Sequence, residues 1–166
     1  MANKIIAVAL GGIACLFFII AVGTRGWTTV DSNGFVSNAG LFSIKTKALG
    51  QEATIKVNKD FYGSSDEGKE AWAKTQATRA FVILSILVSA AGIGVTFIGQ
   101  AVPGAAAFGV AALCGLISTA VFADLYNDTS ESSSELKLGY SFALNIVAFI
   151  LCLPAAFFAY RSADEK

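Results

Sequence analysis

Long apolar runs alternate with one broad polar interval along this chain. Ile5–Gly23, Ala80–Ala123 and Tyr140–Tyr160 carry no charged side chain, and the middle run is 44 residues long. About 20 helical residues cross a ~30 Å hydrocarbon core, so uncharged runs of this length predict membrane spans. The middle run holds two of them, divided at Gln100–Pro103. The predicted spans are therefore 5–23, 80–99, 104–123 and 140–160. The short turn at 100–103 makes the second and third an antiparallel pair. Signal-peptide h-regions are about 7–15 residues. The 19 residues of Ile5–Gly23 exceed that, which favours a retained first helix. The fold class expected is a membrane α-helical four-transmembrane-helix bundle, with a small antiparallel β-sheet on its outer side.

The polar interval, Thr24–Arg79, supplies that sheet. Trp27–Val30 reads as a strand and Asp31-Ser32-Asn33-Gly34 as a hairpin turn, since Asn-Gly favours tight hairpins. A second strand is predicted over about Phe35–Lys47. Ala48–Gln51 turns the chain. In a third strand, Glu52–Asn58, Ala53, Ile55 and Val57 alternate with Thr54, Lys56 and Asn58. Period-2 alternation predicts a sheet with one wet face. Ser64 and Glu67 have capping-box spacing. Glu70–Lys74 reads as a short helix continuing into the second span, with Trp72 at headgroup level.

Small residues recur every fourth position in the third span: Ala107, Ala111, Gly115, Thr119 and Ala123. Such a row lets a neighbouring backbone approach closely, so it predicts a packing seam within the bundle. The second span has a weaker row of Ser85, Ser89, Ala90 and Gly94. Asn145 is expected to bond inside the bundle, and Pro154 to bend the last span near its end. The predicted loop 124–139 carries the sequon Asn127-Asp128-Thr129, a candidate glycosylation site. Both outer segments, 24–79 and 124–139, follow spans that would leave the termini cytoplasmic.

Composition narrows the function classes. The chain is 55% hydrophobic and 14% charged, against about 25% charged in a soluble domain. Its net charge is zero, and it has no basic cluster that would suit nucleic acid. It has no histidine, the commonest metal ligand and general base. Cys15, Cys114 and Cys152 all fall in apolar runs, in a spacing that suits neither zinc nor a disulfide framework. No catalytic residue, metal or other cofactor is expected, and ionisable groups of the kind that line a transport path are missing from the runs. Charge also raises a puzzle. Positive residues should favour the inner side. Lys4, Arg161 and Lys166 do so, whereas Arg25, Arg79 and Lys137 flank spans on the predicted outer side.

Four spans, a long β-patterned first loop and a short second one resemble the claudin superfamily, with its claudin, peripheral myelin protein, epithelial membrane protein and calcium-channel γ-subunit branches. Trp27 and Gly40-Leu41-Phe42 stand where that family has a Trp and Gly-Leu-Trp. Gln76-Ala77-Thr78-Arg79-Ala80 resembles the claudin sequence leading into span two. Leu138–Phe142 resembles the start of span four in some members. The family's first-loop disulfide is missing, and Lys45 stands where its first cysteine would fall.

The resemblance implies that Trp27, Gly40, Leu41 and Phe42 anchor the outer sheet to the helix ends, with Arg79 as a polar partner. It implies a plasma-membrane protein of cell–cell adhesion or junctions that associates with like four-span proteins in the same or a facing membrane. Lys45 and Lys56 are candidates for an outer polar face that biases ion passage. The alternative is an auxiliary subunit of an ion channel or receptor, as in the γ-subunit branch. The expected partners are the lipid bilayer, other copies or related chains, or such a channel, and no nucleic acid.

Overall fold

The computed structural model describes residues 1–32, 35–48, 51–130 and 136–163. The elements run α1 (Ala2–Gly23), β1 (Thr28–Ser32), β2 (Phe35–Ala39), β3 (Ser43–Ala48), β4 (Gln51–Lys56), α2 (Lys59–Tyr62), α3 (Asp66–Phe97), α4 (Ala101–Ser130), β5 (Leu136–Leu138) and α5 (Tyr140–Arg161). The four long helices are long and apolar enough to cross a membrane. They form a bundle in which α1 packs on α3 and α5, and α4 packs on α3 and α5. We call the end that carries the sheet the head.

Buried rows in the bundle alternate steps of three and four, the spacing that keeps one stripe of a 3.6-residue helix facing inward. In α1 the row is Ala7, Gly11, Ala14, Phe18 and Ala21. In α4 it is Gly104, Phe108, Ala111, Gly115, Ser118 and Phe122. This corrects the predicted seam. Ala111 and Gly115 are in it, whereas Ala107 and Thr119 flank it half-buried. A strict four-residue spacing drifts off the stripe, because four residues turn the helix through more than one revolution. The second span is corrected likewise. Ser85 and Ser89 face inward with Gly92 and Thr96, while Ala90 and Gly94 face outward. The close approach is real at Gly115, where an added Cβ would lie 2.7 Å from the Phe149 Cβ and 2.9 Å from the Phe18 ring. Asn145 on α5 donates to the Ser118 and Thr119 hydroxyls at 3.0 and 2.8 Å.

Several boundaries also move. The turn between α3 and α4 is Ile98–Gln100, with Gly99 at φ 89°. Pro103 lies inside the first turn of α4, where its missing N–H has no helical partner to lose. The loop expected at 124–139 is helical as far as Ser130, so Asn127 sits exposed on a helix. The helix α5 continues through Pro154 to Arg161. Asn33-Gly34, Leu49-Gly50, Glu131, Glu135 and the last three residues lie outside the described residues.

The head is a five-stranded antiparallel sheet ordered β4-β3-β2-β1-β5. Both segments between spans contribute to it. The single strand predicted over Phe35–Lys47 is two strands, broken at Gly40-Leu41-Phe42. The first strand starts at Thr28, one residue later than predicted. The cap of α3 is also one residue later, with the Ser65 hydroxyl accepting from Gly68 N–H. The β4 strand departs from the one-wet-face expectation, since Gln51–Lys56 are exposed on both faces. It is an edge strand, and among the described residues no helix covers it.

Candidate head-to-bundle interface

The break between β2 and β3 places the residues that matter most. Gly40 N–H donates to the Ser43 carbonyl at 2.9 Å and closes the corner. The corner presses on the end of α1. A Cβ on Gly40 would lie 2.6 Å from the Thr24 carbonyl oxygen and 2.9 Å from the Arg25 Cα. Both neighbours are backbone and cannot swing aside. Gly40→Ala is therefore expected to cost about 1–3 kcal/mol by overpacking, read as a lowered unfolding temperature in detergent. An unchanged melt would show that the corner yields.

The corner turns the Leu41 carbonyl toward α3, where Arg79 meets it. Arg79 Nε donates to the Leu41 oxygen at 2.7 Å, and Nη2 donates both to that oxygen and, at 2.9 Å, to the Val57 oxygen. Nη1 donates to Gln76 Oε1 at 2.9 Å. The guanidinium lies between two rings, with its carbon 4.8 Å from the Phe42 centroid and 5.0 Å from that of Trp72. Arg79 is only 8% exposed. A planar, five-donor fork suits this arrangement, which ties the β2–β3 corner and the end of β4 to one helix.

Trp27 makes a second tie. Its ring is 1% exposed and packs edge-on against Phe122 of α4 and Phe142 of α5, with centroids 4.6 and 6.2 Å away. Its Nε1 donates to the Ala21 carbonyl at 2.6 Å, satisfying one of the last carbonyls of α1. The Ser141 hydroxyl pairs with Thr24 Oγ1 at 2.7 Å and accepts from Gly26 N–H at 3.1 Å. An apolar cavity of about 190 Å³ remains under the sheet, among Trp27, Leu41, Val57, Phe61, Phe122 and Leu125.

The structure thus brings Trp27, Gly40, Leu41, Phe42 and Arg79 to one interface and leaves the other candidates apart. Lys45 and Lys56 are on the opposite face of the sheet, with β3–β4 register partners Thr54 and Ser43. Lys45 is paired with Glu52 at 2.7 Å. The Lys45 hydrogen bond and charge hold the Glu52 carboxyl below its usual range. Ala107, Ala111, Gly115 and Thr119 belong to the bundle interior or its flank.

Sequence reasoning missed Lys74. Its ammonium lies 3.0 Å from Glu70, 2.8 Å from Asp124 and 2.5 Å from Asp128. It clamps the head-side extension of α3 to that of α4. Those three carboxylates raise its pKa above the ordinary lysine value. A raised value means that the clamp is intact below the ordinary lysine pKa and is lost only as pH rises through the folded-state value. Lys74→Gln is expected to speed amide exchange in residues 66–74 and 124–130 while leaving the transmembrane parts unchanged. Uniform exchange between variant and parent would refute the clamp. The clamp residues are fifty positions apart, so neither periodicity nor spacing signals them.

A family model described as the PMP-22/EMP/MP20/Claudin family matches residues 1–158. No individual curated protein matches the chain.

Proposed function

We propose a function from one premise: the chain belongs to the PMP-22/EMP/MP20/Claudin family. It acts as a claudin-like multi-pass protein of the plasma membrane, with its head outside and both ends in the cytoplasm. The head binds other heads in the same or a facing membrane and so supports cell–cell contact.

The observation that carries this reading is β4. Its six residues are exposed on both faces, and among the described residues one backbone edge has no neighbouring strand in the sheet. Such an edge is a template for another strand. Ile55 and nearby Phe61 add exposed apolar surface, at 47% and 44%. Head-to-head pairing along β4 would cover both. Lys45, held by Glu52, contributes little free charge to an ion path, which leaves Lys56 as the candidate for that role.

The test is a cysteine scan in expressing cells with a membrane-impermeant bifunctional maleimide. Thr54→Cys on β4 is expected to give cross-linked dimers, and Asp66→Cys at the start of α3 is not. Equal cross-linking at both positions would reject the β4 edge. Labelling of neither from outside would reject the orientation, which a glycan on Asn127 checks independently.

The outward-facing Ala90 and Gly94 on α3 favour a second reading, as an auxiliary subunit whose span packs against a channel or receptor. A stoichiometric channel in a gentle-detergent pull-down supports that reading, and self-association alone supports the first.

A further inference from the structure

We propose that Arg25, Ser43 and Lys56 form a seat for the phosphate of a phospholipid in the head-side leaflet. The observation behind it is the unexplained cation. Of the three basic residues flanking spans on the head side, Arg79 is consumed by the Leu41 and Val57 carbonyls. Lys137 stands on β5, opposite Thr29 of β1. Arg25 follows the end of α1 by two residues and is exposed. It has no acidic partner among the described residues. Its one side-chain bond among the described residues is from Nε to the Ser43 hydroxyl, at 2.8 Å. That bond engages Nε and leaves both Nη groups without a partner among the described residues. Such a pre-oriented fork matches the oxygens of a phosphate.

A second cation stands in register with Ser43. Ser43 and Lys56 are direct register partners across β3 and β4. Directly opposed residues have Cβ atoms about 4.5–5.5 Å apart on one face, so Lys56 stands beside Ser43 with its ammonium a side chain's length from the Arg25 guanidinium's anchor. Lys56 is exposed and has no ion pair among the described residues. The acid on that part of the face, Glu52, is already engaged by Lys45.

The level is that of a lipid headgroup. Arg25 sits just past the last turn of a 22-residue apolar helix. Lys56 precedes Val57, whose carbonyl is bonded to Arg79, and Arg79 immediately precedes the uncharged run. Phe42, 48% exposed, adds an aromatic whose ring centroid is 4.8 Å from the Arg79 guanidinium carbon. A lipid here would brace the membrane-proximal end of the β3–β4 pair. The seat does not depend on pairing through the β4 edge, so either proposal can fail alone.

The experiment is native mass spectrometry of the full chain in mild detergent, titrated with dioctanoyl phosphatidylglycerol. Arg25→Gln and Lys56→Gln are each expected to weaken binding about fivefold, the worth of one basic residue near a lipid surface. Lys137→Gln should bind as the parent does, and Arg25→Lys should fall between parent and Arg25→Gln. Unfolding temperatures establish that each variant is folded; should Arg25→Gln melt early, Lys56→Gln decides, because its side chain has no partner to lose among the described residues. Equal binding by parent and Lys56→Gln would overturn the proposal. So would displacement of the lipid by an equal concentration of inorganic phosphate, since that outcome assigns the seat to a soluble anion.

Discussion

Arg79→Ala is expected to destabilise the head by about 3 kcal/mol and to abolish most surface delivery. The reasoning is a count of what is left behind. The Leu41 and Val57 carbonyls are each bonded by the guanidinium in a setting where Leu41 is 2% and Val57 7% exposed. A buried acceptor stripped of its partner costs about 1–3 kcal/mol, and bonds to charged donors are the stronger ones. Loss of the stacking on Phe42 and Trp72 adds to this. Arg79→Lys keeps the charge but offers one nitrogen in place of a fork, so it recovers only part of the loss. The measurement is unfolding in detergent together with surface biotinylation. A parent-like melt for Arg79→Ala would mean that water satisfies both carbonyls and that the tie has no energetic weight.

This tie helps explain how the head dispenses with a loop disulfide. A disulfide closing a short loop is worth about 2–4 kcal/mol. Arg79 holds the corner before β3 and the residue after β4 to the same helix, closing the β3–β4 hairpin through hydrogen bonds. The Lys45–Glu52 pair bridges the two strands farther out, but it is exposed and correspondingly weak.

The spans were legible because a charge inside hydrocarbon is costly, so its absence over twenty residues carries information. The faces of the spans were less legible. Rows drawn at a fixed spacing of four caught Ala111 and Gly115 but also took in Ala90 and Gly94, which face outward. The break at Gly40-Leu41-Phe42 was hidden because Phe42 opens the alternation that Ile44 and Thr46 continue, while the corner's geometry depends on the backbone of Thr24 and Arg25. The β5 strand has three residues, too few for periodicity to register, and pairs with β1 more than a hundred positions earlier. The meeting of Arg79 with the Leu41 corner came from family resemblance. The residues by themselves say only that a cation stands where an apolar run begins.

Trp27→Ala is expected to cost about 3–5 kcal/mol, as large aromatic truncations in packed cores do. Trp27→Phe should cost less, about 1 kcal/mol for the lost hydrogen bond to Ala21, with a further penalty for the smaller ring. The two large variants should differ in where the damage falls. Trp27 N–H donates to Ala39 and its carbonyl accepts from Gly139, so it stands at the β1 end of the sheet, over α1, α4 and α5. Arg79 serves the β3–β4 end over α3. Hydrogen exchange should therefore rise in β1, β5 and the head-side turns of α1 and α5 for Trp27→Ala, and in β3 and β4 for Arg79→Ala. If both variants release all five strands together, the head is one cooperative unit and the two ties share one energy. If the patterns separate, each tie holds its own half of the sheet, and the β4 edge can loosen for pairing while β1 and β5 stay docked.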